Sequence, residues 1–246
     1  MSNISIYQNK IREMPLFTGI EEELLDSILE HSRIVHLDKH AEIFSQGESA
    51  RKFYIILDGL IKLFKMDANG ADAVLQIAKS GDNLLETIIF KSAMIPISAQ
   101  VIESATLLAI PADRMRQYIR QNEKLAANML EIMADKSRQF ISHFEQLSLK
   151  SVSQRVGWFL LKLFIENGKA NTLKLPYDKL LIASYLGMKP ETFSRTLQDF
   201  KRRGINIQKD MVSLPTVFSL CDYCDIETAS NCNKHGTSAC PNPDCV

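Results

Sequence analysis

The five cysteines of this 246-residue chain all lie in its last 26 residues, at Cys221, Cys224, Cys232, Cys240 and Cys245. Thiolates are soft ligands that suit zinc and iron–sulfur clusters, and crowded cysteines in a reducing compartment favour metal or redox chemistry over disulfides. Cys221 and Cys224 are spaced to share one metal site, whereas the remaining spacing lacks the second close pair of a zinc finger. Cys240 precedes Pro241, as in ferredoxin-type runs. The tail is therefore a candidate thiolate site.

A second group of polar side chains follows Pro190, which suits the first turn of a helix. Glu191, Ser194 and Arg195 are spaced to face the same side of that helix. Arginine can bind O6 and N7 of guanine, glutamate can accept from N4 of cytosine, and serine can contact several bases. Contacts to phosphates, which position a protein without specifying sequence, are expected from Lys189, Thr192, Lys201, Arg202 and Arg203.

The distribution of charge supports a nucleic-acid partner. The formal net charge is zero, but residues 151–215 carry 11 Lys and Arg against five Asp and Glu. Residues 1–150 carry 17 against 20, and residues 216–246 carry one against four. Positive charge confined to one segment is expected if only that segment meets phosphates. A solvated basic face is the alternative, and charge alone does not separate the two.

The elements around Glu191 form a helix-turn-helix pattern. A helix is predicted over residues 177–186, and a second helix over residues 190–203, with Gly187 in the short turn between them. The residues expected to fill the interior of this unit are Leu180, Leu181, Ala183, Leu186, Phe193, Leu197 and Phe200. Residues 205–208 and 212–214 predict a hairpin that would serve as a wing.

Residues 34–110 predict an antiparallel β structure. Short apolar runs alternate there with turn signals, at residues 34–37, 43–44, 53–57, 60–64, 74–77, 97–102 and 107–110. Asp58-Gly59 and Asn69-Gly70 predict tight hairpins because they supply the positive φ that such turns need. Many short strands of this kind predict a barrel or roll. A short helix is predicted before it, over residues 16–30.

A long helix is predicted after the β region. Asn122 can cap a helix that runs to about Leu149. Apolar residues recur along it in a narrow, nearly heptad stripe that includes Met129, Met133, Phe140, Phe144 and Leu147. Such a stripe suits a helix packed on a symmetry mate. Packing on its own barrel explains the periodicity equally well.

The chain has no apolar run near the roughly 18 residues that a membrane-spanning helix needs. Its first ten residues lack the apolar core of a signal peptide. We therefore expect a cytoplasmic protein that does not associate with a membrane.

Four segments carry a resemblance to a known family: residues 15–17, residues 44–59, residues 151–156 and residues 186–195. Together they resemble the CRP/FNR family of bacterial transcription regulators, over nearly all of the chain up to Leu214. The resemblance implies an α+β fold with an N-terminal antiparallel β-roll of the cyclic-nucleotide-binding type, a long dimerisation helix and a C-terminal winged helix-turn-helix.

The resemblance also implies a division of the chain into four parts, and it implies the partners of the protein. Residues 1–121 would form the sensor roll, 122–150 the dimerisation helix, 151–215 the DNA-binding domain and 216–246 a cysteine-rich tail. A homodimer would read a palindromic operator in double-stranded DNA, and we expect RNA polymerase as a further partner. The Glu191, Ser194 and Arg195 pattern resembles the FNR branch, whose half-site is TTGAT, and this implies their base-reading roles.

Two departures from the family bear on the signal. Leu85 stands where cyclic-nucleotide-binding members have glycine, and Ile97 stands where they have the arginine that pairs with the phosphate, although Glu86 is retained. An aliphatic side chain provides no charge-assisted hydrogen bond to a phosphate. We therefore expect no cAMP or cGMP binding. The N-terminal cluster cysteines of FNR are also missing here.

The cysteine tail is the alternative place for a signal. Thiolate-only ligation and the family resemblance favour a [4Fe–4S] cluster that oxygen or nitric oxide destroys, ahead of structural zinc. Unligated thiols that oxidise reversibly are the third possibility. The preferred cluster ligands are Cys221, Cys224, Cys232 and Cys240, with Cys245 spare. Folding of the tail around a cluster would set the wing or dock on the dimerisation helix and so change DNA binding.

Two other functions stay open at the level of sequence. One is a regulator of the same family that senses a small molecule or heme in the β-roll, with candidate heme ligands at His31, His36, His40 and His143, and holds zinc in its tail. The other is an electron-transfer or redox enzyme that uses the tail cluster. A dinucleotide-binding loop, a Walker motif and a nucleophile elbow are all missing from the sequence, so we expect a regulator and not an enzyme.

Overall fold

The computed structural model describes residues 4–66, 72–90, 94–166 and 171–224. The chain divides after Arg138 into two compact units. The predicted turn at Asn69-Gly70 and the cysteines Cys232, Cys240 and Cys245 lie outside the described residues. Within those residues, no helix is long and apolar enough to cross a membrane. The fourfold division of the chain expected from sequence stays a prediction.

The first unit is a β-roll with helices at both ends. Its elements are α1 (Ile4–Arg12), a 3₁₀ turn (Pro15–Phe17), α2 (Glu22–Glu30), β1 (Arg33–Leu37), β2 (Glu42–Phe44), β3 (Lys52–Met66), β4 (Asp72–Ala78), β5 (Asn83–Leu84), α3 (Thr87–Phe90), β6 (Ser98–Pro111), α4 (Ala112–Gln121) and the start of α5 (Glu123–Leu149). The strands pair antiparallel in the order β1-β6-β3-β4, with β2 also on β6 and β5 also on β3. The predicted antiparallel roll is confirmed.

Three details of the predicted elements are wrong. The single helix over residues 16–30 is a 3₁₀ turn followed by α2, and α1 has no counterpart in the sequence prediction. The run at 107–110 and all but the first residue of the run at 97–102 belong to the one strand β6. The hairpin predicted at Asp58-Gly59 does not form, because β3 runs through it and stays paired with β6 on both sides.

Gly59 marks an irregularity within β3 and not a turn. The register of the β3–β6 pairing shifts between Ile56 and Ile61, and Gly59 has a φ of +93°. A Cβ at this position would lie 2.4 Å from the backbone oxygen of Ser104. The Asp-Gly pair therefore correctly predicted a positive φ at Gly59. The positive φ belongs to a bulge, in which two backbones approach closely, and not to a hairpin turn.

The second unit contains the rest of the helical and wing elements. They are the end of α5, α6 (Val152–Glu166), β7 (Thr172–Lys174), α7 (Lys179–Tyr185), α8 (Pro190–Arg202), β8 (Asn206–Gln208), β9 (Met211–Ser213) and a 3₁₀ helix (Val217–Tyr223). The strands form a three-stranded antiparallel sheet in the order β7-β9-β8. The predicted helix-turn-helix and its hairpin are confirmed.

Polar side chains define where these helices begin. Ser151 and Gln154 cap α6 reciprocally, since the Gln154 amide oxygen accepts from Ser151 N at 2.9 Å and the Ser151 hydroxyl accepts from Gln154 N at 3.3 Å. The Asp178 carboxylate caps α7 by accepting from Leu181 N at 2.8 Å. Asn122 caps α5 as predicted, by accepting from Leu125 N at 2.8 Å.

The close backbone approach at Gly59 gives a stability test. We expect Gly59→Ala to lower the free energy of unfolding by well over about 1 kcal/mol, because alanine adds both a left-handed strain and a backbone clash. Gly81→Ala is the matched control, since Gly81 has a φ of +94° and open space within 4 Å of a Cβ. Urea denaturation of both variants measures the difference, and equal losses would show that the clash contributes nothing.

Candidate nucleic-acid interface

The turn between α7 and α8 depends on Gly187. Its φ is +62°, and a Cβ there would lie 2.8 Å from Cδ2 of Leu147. Gly187 N donates to Ser184 O, and Met188 N donates to Ala183 O, each at 3.0 Å. These two bonds end α7 and turn the chain toward Pro190, so glycine is required both by the backbone conformation and by its neighbour.

The apolar side of the helix-turn-helix fixes the direction of α8. Phe193, Leu197 and Phe200 are buried in one core with Ile182 and Leu186. Of the interior residues predicted from sequence, only Leu180 is wrong: it is 67% exposed, whereas Ile182 is fully buried. The first turn of α7 starts at Lys179, and this puts position 182 and not position 180 on its inner face.

The opposite side of α8 carries the predicted base-reading residues. Glu191, Ser194 and Arg195 are all exposed, as is Gln198 one turn further on. Positions three and four apart lie on the same helix face, so these side chains form one polar strip along the N-terminal half of α8. That is the part of a recognition helix that contacts base edges.

The predicted phosphate-binding residues lie at the two ends of α8. Lys189 is the exposed residue before Pro190, while Thr192 is half-buried and accepts the Thr196 hydroxyl at its carbonyl. At the other end, Lys201, Arg202 and Arg203 are exposed. These cations flank the polar strip, which is the arrangement expected if they meet the backbone on either side of it.

Two of these arginines contact neighbouring side chains. Arg202 forms an exposed ion pair with Asp199, with 3.1 Å between Nη1 and Oδ1. Arg203 Nη1 donates to the Tyr223 hydroxyl at 3.1 Å. The sequence pattern did not single out Tyr223, because it lies 20 residues further along the chain.

The region that corresponds to a nucleotide-phosphate cassette has an internal ion pair. The Glu86 carboxylate pairs with the Lys136 ammonium, which also donates to the carbonyl of Asn83. Leu85 is buried and has a φ of +68°, a conformation that favours the glycine found in cyclic-nucleotide-binding members. Ile97 packs against the apolar core. Lys136 was missed by sequence reasoning, because 50 residues separate it from Glu86.

The long helix α5 divides the residues of its predicted dimerisation stripe between two environments. Met129 is fully buried in the core of the first unit, and Met133 packs against that core. Phe140, Phe144 and Leu147 are exposed, and so are Leu130 and Ile141. Met129 therefore offers no surface to a second chain, and the exposed residues are the ones that remain for a partner.

The described part of the cysteine segment is the turn that holds Cys221 and Cys224. Both are half-buried, and Cys224 N donates to Cys221 O at 3.0 Å. This closed turn keeps two thiols three residues apart on one short element, which fits a pair of ligands to one metal or cluster. Among the residues that the structure describes, no three metal-ligating side chains come together, so a complete thiolate site needs cysteines from 225–246.

His143 stacks on Tyr185 with 4.4 Å between ring centroids. Within the described residues, neither of its ring nitrogens has a hydrogen-bond partner. The pKa of His143 lies below the usual histidine value, first because the imidazole is buried and second because Lys162 is positively charged. The neutral form is therefore preferred in the folded chain.

Each of the two units contains a segment that matches a known protein family. Residues 34–122 match the cyclic nucleotide-binding domain, and residues 154–219 match the Crp-like helix-turn-helix domain. A cyclic-nucleotide-binding-type roll joined to a helix-turn-helix defines a DNA-binding transcription regulator and not an enzyme. The chain belongs to the CRP/FNR family, and DNA binding is a property of its helix-turn-helix.

Individual relatives support this assignment. The nitrogen fixation regulation protein FixK of Bradyrhizobium diazoefficiens is 28% identical over 198 residues, which cover 79% of this chain and 82% of the relative. The transcriptional activator protein Anr of Pseudomonas protegens is 27% identical over 201 residues, 78% of this chain and 80% of the relative. The structure of FixK2 from Bradyrhizobium japonicum shares the fold, with a TM-score of 0.69 at 21% identity over 79% of this chain and 98% of that one.

The His143–Tyr185 stack predicts a pH dependence of stability. Below the ordinary histidine pKa of about 6.5, the unfolded chain takes up a proton that the folded chain disfavours, so the free energy of unfolding should fall as the pH falls. We expect His143→Phe, which keeps a ring on Tyr185, to make this dependence shallower in urea denaturation between about pH 8 and pH 5. His36→Phe, at an exposed position, is the control. An unchanged slope in His143→Phe would contradict the prediction.

Proposed function

We propose that this chain is a transcription regulator that binds a TTGAT-like palindrome as a homodimer and responds to redox state, oxygen or nitric oxide through its cysteine tail. It acts on transcription together with RNA polymerase. The observation that carries the DNA-binding part is the exposed strip of Glu191, Ser194 and Arg195 on α8. The sensing part is supported by the half-buried turn that holds Cys221 and Cys224.

The chemistry of the strip suits the TTGAT half-site. The Arg195 guanidinium can donate to O6 and N7 of the guanine, and Glu191 can accept from N4 of the cytosine paired with it. The Ser194 hydroxyl can contact an adjacent thymine. All three residues lie near the N-terminus of α8, where a recognition helix enters the major groove. The cations at both ends of α8 then fix its register by binding phosphates.

The proposed homodimer rests on the exposed apolar residues of α5. Phe140, Ile141 and Phe144 are each more than half exposed. Large apolar side chains clustered on one exposed helix surface mark an association site. A two-fold dimer presents two copies of α8 and therefore reads two half-sites, about one helical turn apart. The palindromic operator follows from that symmetry.

The proposed cofactor is a [4Fe–4S] cluster held by Cys221, Cys224, Cys232 and Cys240. When bound, such a cluster supplies an iron centre that reacts with oxygen or nitric oxide. The chain's own part is to hold the first two thiolates on one closed turn that is anchored in the DNA-binding unit. Glu86 is already paired with Lys136, and Ile97 offers no charge-assisted hydrogen bond to a phosphate. Together with Leu85, these features support a signal that does not enter through cAMP.

Two substitutions separate reading of bases from binding of phosphates. Arg195→Ala should weaken binding to a TTGAT palindrome by about 1–3 kcal/mol and leave binding to unrelated DNA nearly unchanged. Lys201→Ala should weaken both and lower the slope of log affinity against log salt by about 1. Fluorescence anisotropy at several salt concentrations measures both effects. If Arg195→Ala weakened both DNAs equally, the base-reading role would be wrong.

The cofactor is tested on anaerobically purified protein. We expect about four irons and four sulfides per chain, with a broad absorption near roughly 400 nm that air bleaches. A variant with Cys221→Ser and Cys224→Ser should lose the iron while a Cys245→Ser control keeps it. A colourless protein with one zinc per chain would overturn the cluster and leave the DNA-binding assignment intact.

A further inference from the structure

The segment that leads into the cysteine tail is anchored in the DNA-binding unit. Leu220, in the middle of the 3₁₀ helix Val217–Tyr223, is fully buried in the core that also holds Phe200. Cys224 packs against the same core. The segment that holds the first two cysteines is therefore packed on the unit that carries α8, so a change in their ligation would act on packed side chains.

Tyr223 packs against both α6 and α8. Its ring lies over Gly157 of α6, where a Cβ would come within 2.3 Å of the ring. The ring also meets Phe200 of α8 edge-on, with 5.5 Å between centroids. A glycine in the interior of a helix is unfavourable, and here its cost is offset because only glycine leaves room for the tyrosine ring.

The hydroxyl of Tyr223 reaches the end of α8. It accepts a hydrogen bond from Nη1 of Arg203, the residue that caps α8. A guanidinium has five N–H donors, so this bond leaves the other donors of Arg203 available to a phosphate. Arginine side chains have many rotamers, and a fixed partner removes part of the entropy that binding would otherwise cost.

We propose that Tyr223 is a positioning residue that sets Arg203 for the DNA backbone and links this contact to the state of the Cys221–Cys224 pair. Tyr223 lies between the two cysteines, so ligation of both thiolates fixes the backbone that carries its ring. Loss of ligation loosens the ring on Gly157 and Phe200 and releases Arg203. The link deepens the proposed function and rests on it for the identity of the signal.

The pairwise link is tested by a double-mutant cycle on DNA binding in the full chain. Tyr223→Phe keeps the ring and removes only the hydroxyl, and we expect it to weaken binding about threefold to tenfold. The loss should be equal for a TTGAT palindrome and unrelated DNA, because a phosphate contact carries no sequence information. The salt slope should fall by about 1 in Arg203→Ala, and Tyr223→Phe should have no further effect in that background.

Arg202→Ala is the matched control for the cycle. Arg202 is the neighbouring exposed arginine and pairs with Asp199 instead of Tyr223. In the Arg202→Ala background, Tyr223→Phe should therefore keep its full effect. If Tyr223→Phe lowers the DNA affinity by the same factor in wild type and in the Arg203→Ala background, the positioning role is overturned. Matching thermal unfolding curves for wild type and Tyr223→Phe ensure that the ring packing is retained.

The link to the thiolates is tested by the same titrations before and after exposure to air, with iron analysis of each sample. In wild type, loss of iron should weaken DNA binding. In Tyr223→Phe, the loss of affinity that accompanies loss of iron should be smaller than in wild type, by the factor by which removal of the hydroxyl alone weakens binding. Equal changes in both proteins overturn the link. Protein purified without iron would contradict the proposed cluster. Additive effects of Tyr223→Phe and Arg203→Ala on DNA affinity would contradict the positioning role, so the two failures are distinguishable.

Discussion

The burial of one face of α8 is the interaction on which the rest of the DNA-binding unit depends. Phe193, Leu197 and Phe200 enter a core shared with α6 and α7, and this fixes the rotation of the helix about its axis. Because residues three or four apart share a face, burial of one side dictates that Glu191, Ser194 and Arg195 are exposed on the other. A rotation of the helix would bury charged groups without partners, at a large cost.

The same buried face links the recognition helix to the cysteine segment. Phe200 contacts the Tyr223 ring, and Gly157 leaves the space in which that ring lies. Interiors are closely packed and transmit displacements between neighbours. Under the proposed function, a metal or cluster at the turn of Cys221 and Cys224 would therefore act on the end of α8 through a short chain of contacts.

Local patterns predicted much of this architecture because they reflect local physics. The helix-turn-helix, the wing hairpin and the cap at Asn122 depend on turn chemistry and helical periodicity within a few residues. The Asp58-Gly59 prediction failed for a different reason. Positive φ at a glycine serves a hairpin or a bulge equally, and only the continued pairing of β3 with β6 on both sides of Gly59 decides between them. Leu180 failed because the start of α7, at the Asp178 cap, sets which residues face inward.

The sequence by itself determined the class of protein, the polar strip of α8 and the concentration of cysteines in the tail, because each depends on residue types at short spacing along the chain. Tertiary structure decided which residues meet across long separations. It placed Met129 in a core and left Phe144 exposed on the same helix, and it joined Glu86 to Lys136 and Arg203 to Tyr223. Such pairs leave no periodic signal in a single chain, since packing in three dimensions alone brings them together.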